Sequence, residues 1–162
     1  MGLLTYASLC LFGLLLSSPL TGAEANSCPN DWTEDPVQGN CYAYFDNKLT
    51  WREAEMECQN YGSKAHLASI LSAEETDFIA KHISTYQHET SSVWMGLYDP
   101  RQTGKWNWSD GSIYNYMAWA RGQPDFLHGP EYCVELNLFT GFKQWNNNNC
   151  KKMNTYICKI KL

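Results

Sequence analysis

The cysteines constrain this chain more than any other feature of its sequence. Of seven cysteines, six are spread over the region that remains after a predicted leader, at Cys28, Cys41, Cys58, Cys133, Cys150 and Cys158. None of these six forms the close C-x-x-C pair that is typical of a zinc site. An even number in an exported chain predicts a disulfide framework, whose connectivity the spacing leaves open. No cysteine is left over, so we expect no interchain disulfide.

The seventh cysteine, Cys10, lies in a predicted signal peptide at residues 1–25. This segment contains an apolar run over residues 9–16, and Ala23-Glu24-Ala25 fits the A-x-A pattern of a cleavage site. The run is too short to cross a hydrocarbon core of about 30 Å, and no later segment is apolar enough to do so. We therefore predict a secreted, extracellular protein with no membrane span, in which residues 26–162 form one domain.

Charge and histidine placement exclude two classes of function. With 12 Lys and Arg against 17 Asp and Glu, the net charge is −5, so the basic patch that nucleic-acid binding requires is not expected. The four histidines are scattered and form no recognisable triad or metal motif, and the cysteines should be oxidised. The chain is therefore not predicted to be an enzyme. Among the histidines, only His128 lies in a segment that we expect to contact a ligand.

Local patterns predict two helices early in the chain and strands later. Thr50 and Glu53 form a capping box, and Ser72 with Glu75 is expected to open a second helix in the same way. Aromatic and β-branched runs predict strands, first at 41–45 and then at 93–97, 105–108, 132–136, 143–145 and 156–159. Residues 119–130 are rich in Gly, Pro and polar side chains and predict a long functional loop. This order indicates an α+β domain.

A group of side-chain oxygens around this loop carries the predicted chemistry. Carboxylates come from two residues and amide carbonyls from three, at Gln123, Asp125, Glu131, Asn146 and Asn147. Calcium prefers about six to eight oxygen ligands, so five protein oxygens would leave room for oxygens of a bound ligand. The amide NH₂ groups could donate to a sugar hydroxyl, and the carboxylates could accept from one. The alternative interpretation is that Gln-Pro-Asp and the asparagines only mark turns.

Several spaced motifs together resemble the C-type lectin-like domain family over essentially the whole of residues 26–162. Trp94-Met95-Gly96-Leu97 is similar to its W-I-G-L core strand, and Trp106-x-Trp108-Ser109-Asp110-Gly111 to its W-x-W-S-D-G turn. Gln123-Pro124-Asp125 is similar to the Q-P-D tripeptide of galactose-type members, whereas mannose-type members carry E-P-N. Glu131 stands where the family places a calcium-binding Glu, and Trp145-Asn146-Asn147-x-x-Cys150 is similar to W-N-D-x-x-C.

The resemblance implies a specific framework. It predicts two helices, two small antiparallel sheets and a long ligand-binding loop, stapled by disulfides Cys28–Cys41, Cys58–Cys158 and Cys133–Cys150. The likeness is strongest to soluble single-domain members, namely the galactose-type lectins of reptile venoms and the lithostathine (regenerating-islet) proteins. The first group implies calcium-dependent sugar binding. The second group, with the eggshell-matrix members, implies the alternative of a calcium-independent protein-interaction or structural domain.

For the lectin hypothesis, the resemblance assigns roles to individual residues. The expected Ca²⁺ ligands are Gln123, Asp125, Glu131, Asn146 and Asn147. The expected sugar contacts are Gln123, Asp125, Glu131, Asn146 and Phe126, with galactose-type glycans and glycoproteins as partners. Coordination of one ion by both Gln123 and Asp125 needs a tight reversal, so we predict a cis Gln123–Pro124 bond.

Three departures from the family pattern modify these expectations. Asn147 replaces the aspartate of W-N-D, so the site keeps two carboxylates. Leu127 stands where galactose-type members place a stacking aromatic, with Phe126 one residue earlier. An auxiliary calcium site is not expected. Only one of the positions that hold its acidic ligands in the family is acidic here, at Asp99, while Thr103, Phe126 and Tyr132 occupy the others. Separately, Asn107-Trp108-Ser109 is an N-glycosylation sequon, which makes Asn107 a candidate acceptor.

Overall fold

Residues 27–162, the part of the chain described in this computed structural model, contain two α-helices, eight strands and a short 3-10 helix at Leu138–Thr140. In chain order the α-helices and strands are β1 (Thr33–Glu34), β2 (Cys41–Leu49), α1 (Trp51–Gln59), β3 (Ala65–Leu67), α2 (Ala73–Tyr86), β4 (Val93–Tyr98), β5 (Asn107–Trp108), β6 (Cys133–Leu136), β7 (Trp145–Asn148) and β8 (Asn154–Ile160). The predicted α+β class is confirmed. The predicted signal peptide at residues 1–25 lies outside the described range. Neither helix between residues 27 and 162 is long and apolar enough to cross a membrane.

The two helices begin where the sequence predicts, but they are capped differently. At α1 the capping box is complete, because the Thr50 side chain accepts from the Glu53 N–H while the Glu53 carboxylate accepts from the Thr50 N–H. At α2 the Ser72 hydroxyl accepts from the Glu75 N–H, as expected. The Glu75 carboxylate, however, accepts from the N–H of Leu71, at 2.7 Å. Its other oxygen lies 2.5 Å from the ammonium of the buried Lys159, which fixes the carboxylate away from the cap.

The strands form two antiparallel groups that share one sheet. In the first, β2 pairs with β1 and β8, and β3 also pairs with β8. In the second, β4 pairs with β5 and β6, and β6 pairs with β7. A short parallel contact between β4 and β8 joins the two groups, at Val93 with Thr155 and at Trp94 with Tyr156. The two predicted small sheets are therefore continuous through the centre of the domain.

All three predicted disulfides are present: Cys28–Cys41, Cys58–Cys158 and Cys133–Cys150. The first ties the segment before β1 to the start of β2, and the second ties α1 to β8 across the buried core around Trp94. The third joins the start of β6 to the segment just beyond β7, so it closes the hairpin beside the long loop. This hairpin is the part of the fold that positions the candidate site.

Steric crowding explains why a glycine, Gly96, occupies the centre of the Trp94–Leu97 segment. A Cβ atom at Gly96 would lie 2.5 Å from the Leu67 carbonyl oxygen and 2.9 Å from the Ser109 hydroxyl. Gly96 also donates to the Ala68 carbonyl and accepts from the Ser109 N–H. Only glycine allows this approach of β4 to the turn after β5 and to the segment after β3.

Candidate functional site

The long loop is anchored to β7 where it begins. Trp145, at the start of β7, donates through its backbone N–H to Ala118 and accepts from the N–H of Ala120. The buried Trp145 indole packs edge-on against Trp119, with ring centroids 5.7 Å apart. Because this anchor precedes Gln123 by only three residues, it sets the position from which the Gln-Pro-Asp segment projects.

Gln123 and Asp125 are bonded to each other across a cis Gln123–Pro124 peptide, as predicted. The Gln123 amide donates to the Asp125 carboxylate at 2.8 Å, and its carbonyl accepts from the Asp125 N–H at 3.0 Å. The other Asp125 carboxylate oxygen accepts from the N–H of Leu127. Both side chains are half-buried, so this compact pair of one amide and one carboxylate remains partly accessible to solvent.

Asn147 connects β7 to this loop. Its side chain is 1% exposed. The carbonyl Oδ1 accepts from the Asp125 N–H at 3.0 Å, while Nδ2 donates to the backbone carbonyls of Asp125 and of Glu131, the latter at 2.9 Å. The amide orientation is fixed, because both partners of Nδ2 are acceptors and the partner of Oδ1 is a donor.

Glu131 contributes a buried carboxylate that lacks a full set of partners. The residue is 4% exposed, and its Oε2 has no hydrogen-bond partner within residues 27–162. Burial, and secondly the neighbouring Asp125 carboxylate, raise the pKa of Glu131, and His128 partly opposes this. A buried carboxylate oxygen without a donor, close to a second carboxylate, is a position that a cation would satisfy. The oxygen donors of Glu131, Asp125 and Gln123 suit a hard ion such as calcium.

Asn146 is oriented away from Asn147. It pairs directly with Glu135 across the β6–β7 ladder, and successive side chains of a strand point to opposite faces. Its Nδ2 donates to Glu135 at 3.1 Å. The hydrogen bonds of the described residues therefore bring Gln123, Asp125, Asn147 and the Glu131 backbone together. The hydrogen bond of Asn146 goes to Glu135, so Asn146 is not part of this group.

Glu135 is a residue that the sequence analysis did not single out. It is 3% exposed and accepts from the amides of Asn146, Asn148 and Asn154 and from the ammonium of Lys152. The available signal was a lone acidic residue in the otherwise apolar strand that begins at Cys133. Such a residue needs several donors once it is buried.

The rim of the loop carries exposed apolar side chains. Phe126 is 46% exposed, and its ring lies 5.5 Å from that of Tyr132, whereas Leu127 is more exposed still. His128 is also exposed. Phe126 can therefore present an aromatic surface beside Asp125, although it lies one residue before the position that the family uses. Asn107, the candidate glycosylation acceptor, is exposed on β5, far along the chain from this rim.

The auxiliary position centres on Asp99, and the family's other acidic positions there carry Thr103, Phe126 and Tyr132. The Asp99 carboxylate is buried and accepts from the N–H groups of Arg101 and Gly104. A cavity of about 380 Å³ beside this turn is lined by Arg101 and Lys105, which disfavours a second cation. Within residues 27–162 no cluster of three or more His, Cys, Asp or Glu side chains could hold a metal. A calcium ion at Glu131 would therefore depend on amide oxygens as well as on carboxylates.

Comparison with known proteins identifies the family. The family described as "Lectin C-type domain" matches residues 47–160. C-type lectin BiL of Bothrops insularis is 40% identical over 161 residues, which cover 99% of each chain. The chain belongs to the C-type lectin domain family. Its relatives in this family are named lectins, a class of carbohydrate-binding and non-enzymatic proteins.

The same fold occurs in solved structures of proteins that carry quite different names. Human lithostathine superimposes with a TM-score of 0.80 at 33% identity, covering 90% of this chain and 99% of its own. A calcium-independent type II antifreeze protein superimposes with a TM-score of 0.70 at 29% identity, covering 83% and 94%. The C-type lectin fold of this chain is therefore established, and the metal dependence has to be argued from its own residues.

Proposed function

We propose that this protein is a secreted lectin that binds sugar hydroxyls through one calcium ion, with a preference for galactose-type glycans. The observation that carries this proposal is the Glu131 carboxylate, which is buried and has one oxygen without a donor among residues 27–162. It lies close enough to Asp125 for the pKa of Glu131 to be raised. An isolated buried anion is costly, and a bound cation removes that cost. The lectin family of the chain supports the carbohydrate part of the proposal.

The proposed ligand oxygens are those of Gln123, Asp125 and Glu131. The family resemblance adds Asn146 and Asn147 to this set, but in this structure Asn146 is bonded to Glu135 and Asn147 to the backbone of the loop. Calcium would supply a Lewis-acidic centre to which two neighbouring sugar hydroxyls coordinate. The protein groups orient those hydroxyls: the Gln123 amide donates to them, and the Asp125 and Glu131 carboxylates accept from them. The amide-then-carboxylate order of Gln123 and Asp125 is that of the galactose-type members, which favour one axial and one equatorial hydroxyl. Phe126 would cover the apolar face of the sugar, and since Leu127 offers no ring we expect modest selectivity.

One feature of the site favours a second function, in which the domain acts without calcium. In the calcium-independent alternative, the same domain binds proteins or serves a structural role. Asn147 favours it, because a neutral amide replaces the third carboxylate and is already engaged with the backbone of the loop. A calcium-independent type II antifreeze protein has the same fold, so the fold itself does not require the ion.

Retention on a galactose resin distinguishes the two functions. The lectin proposal expects retention in millimolar calcium, release by a chelator, and loss of retention in Glu131→Gln. Glu74→Gln, an exposed glutamate of α2, is the matched control and should be retained like the wild type. A glycan array in the same buffer tests the sugar class. Signal only on mannose-type glycans would refute the galactose preference, and no signal on any glycan would favour the calcium-independent function.

A further inference from the structure

The backbone of the loop over residues 123–131 is held to β7 by one side chain. Asn147 bonds to three backbone groups of this loop: the N–H and the carbonyl of Asp125 and the carbonyl of Glu131. These partners lie 22 and 16 residues away in sequence, so the bonds are tertiary cross-links. At 1% exposure the amide is shielded from water, which cannot easily replace it as a partner.

The two carbonyl groups are the decisive partners. Asp125 and Glu131 point their carbonyl oxygens at the same nitrogen, so each needs a donor or a cation at that point. An amide nitrogen carries two N–H donors, and both are used here. An aspartate at position 147 has the same shape but no donor at neutral pH. It would place a carboxylate against two carbonyl oxygens, an arrangement that only a cation or a proton could hold together.

We propose that the Asn147 amide is a built-in brace that keeps the loop over residues 123–131 in the conformation of this structure without calcium. The two N–H groups of Asn147 do for the loop what a cation would do if the residue were aspartate. Calcium is then needed, if at all, for coordinating the sugar and not for shaping the loop. That last consequence rests on the proposed lectin function, whereas the brace itself does not.

Hydrogen exchange of the loop amides tests the brace directly. The measurement follows peptides covering residues 123–131 in the full mature chain, once in chelator and once in millimolar calcium. For the wild type we expect slow exchange in both buffers. Asn147→Asp should exchange at least about tenfold faster in chelator, because two carbonyls of the loop lose their donors, and calcium should restore slow exchange.

Two further variants keep the test interpretable. Asn149→Asp introduces the same charge two residues away, and its Oδ1 only accepts from the Lys151 N–H, which an aspartate can also do. It should match the wild type in both buffers. Asn147→Ala removes the brace without adding charge and should also exchange about tenfold faster in chelator. Amides of β8 report whether each variant remains folded, since that strand is paired on both sides.

The outcomes separate the brace from the lectin proposal. Fast loop exchange of the wild type in chelator refutes the brace, whatever the variants do. Slow exchange in a folded Asn147→Ala refutes it as well. If the wild-type loop is slow in chelator while calorimetry detects no calcium binding, the brace stands and the calcium-dependent function fails.

Discussion

Replacing Glu135 by leucine removes the acceptor that holds together the far side of the β6–β7 hairpin. The carboxylate is 3% exposed and serves four donors: the amides of Asn146, Asn148 and Asn154 and the ammonium of Lys152. Leucine has a similar volume, so the change tests hydrogen bonding and not cavity formation.

The expected cost follows from the exposure of each donor. Asn154 is 1% exposed and bonds at 2.6 Å, so leaving its amide unpaired costs about 1–3 kcal/mol. Asn146 and Asn148 are half-buried, and each loses about 0.5–1.5 kcal/mol of net hydrogen bonding. The Lys152 side chain is 44% exposed, so its ion pair contributes less than about 1 kcal/mol. We expect Glu135→Leu to lower the free energy of unfolding by about 2–7 kcal/mol.

Urea unfolding in chelator, followed by tryptophan fluorescence, measures this quantity without interference from a bound ion. Lys152→Met is the control and should lose less than about 1 kcal/mol. A loss below about 1 kcal/mol in Glu135→Leu would mean that water replaces the carboxylate, and the assignment of this network as a stabilising one would be wrong.

Three other predictions concern calcium, sugar choice and pH. Glu131→Gln should weaken calcium binding at least about tenfold in calorimetry, whereas the exposed Glu74→Gln leaves it unchanged; equal affinities would remove Glu131 from the ligand set. Gln123→Glu combined with Asp125→Asn should move glycan-array signal from galactose towards mannose with calcium binding retained, and an unchanged glycan profile would contradict the donor-order argument. Burial lowers the pKa of His82, so the unfolded chain takes up the proton first, and the free energy of unfolding should fall as pH drops below about 6.5. Urea unfolding at pH 7 and pH 5 measures this fall, which should be smaller in His82→Phe than in the wild type. An equal fall in both proteins would refute the role of His82.

Features set by short-range chemistry were predictable from the sequence, and those set by distant partners were not. The Thr50 capping box involves residues three apart, and it forms as predicted. Glu75 has the same local pattern, yet its carboxylate turns to Leu71 and to Lys159, which lies 84 residues further along the chain. A local motif cannot specify such a partner.

The candidate site shows the same division. The types of oxygen donor around Gln123 and Glu131 follow from the sequence, and so does the cis bond before Pro124. The extent of β7 does not, since the prediction ended at Trp145 and the strand continues through Asn148. Asparagine has low strand propensity, and the pairing with β6 overrides it. For the same reason the brace formed by Asn147 was not foreseeable, because it depends on the position of a loop distant in sequence.

The place of β8 in the sheet has a consequence for synthesis of the chain. β8 lies between β2 and β4 and is the strand through which the two antiparallel groups meet, yet it follows both of them in the sequence. During translation Cys28 and Cys41 can pair early, whereas Cys58 has to wait about a hundred residues for Cys158. The nascent chain therefore holds an open sheet edge and a free thiol until its last strand emerges. A chaperone or an oxidoreductase that acts on this protein would act in that interval, before β8 closes the sheet.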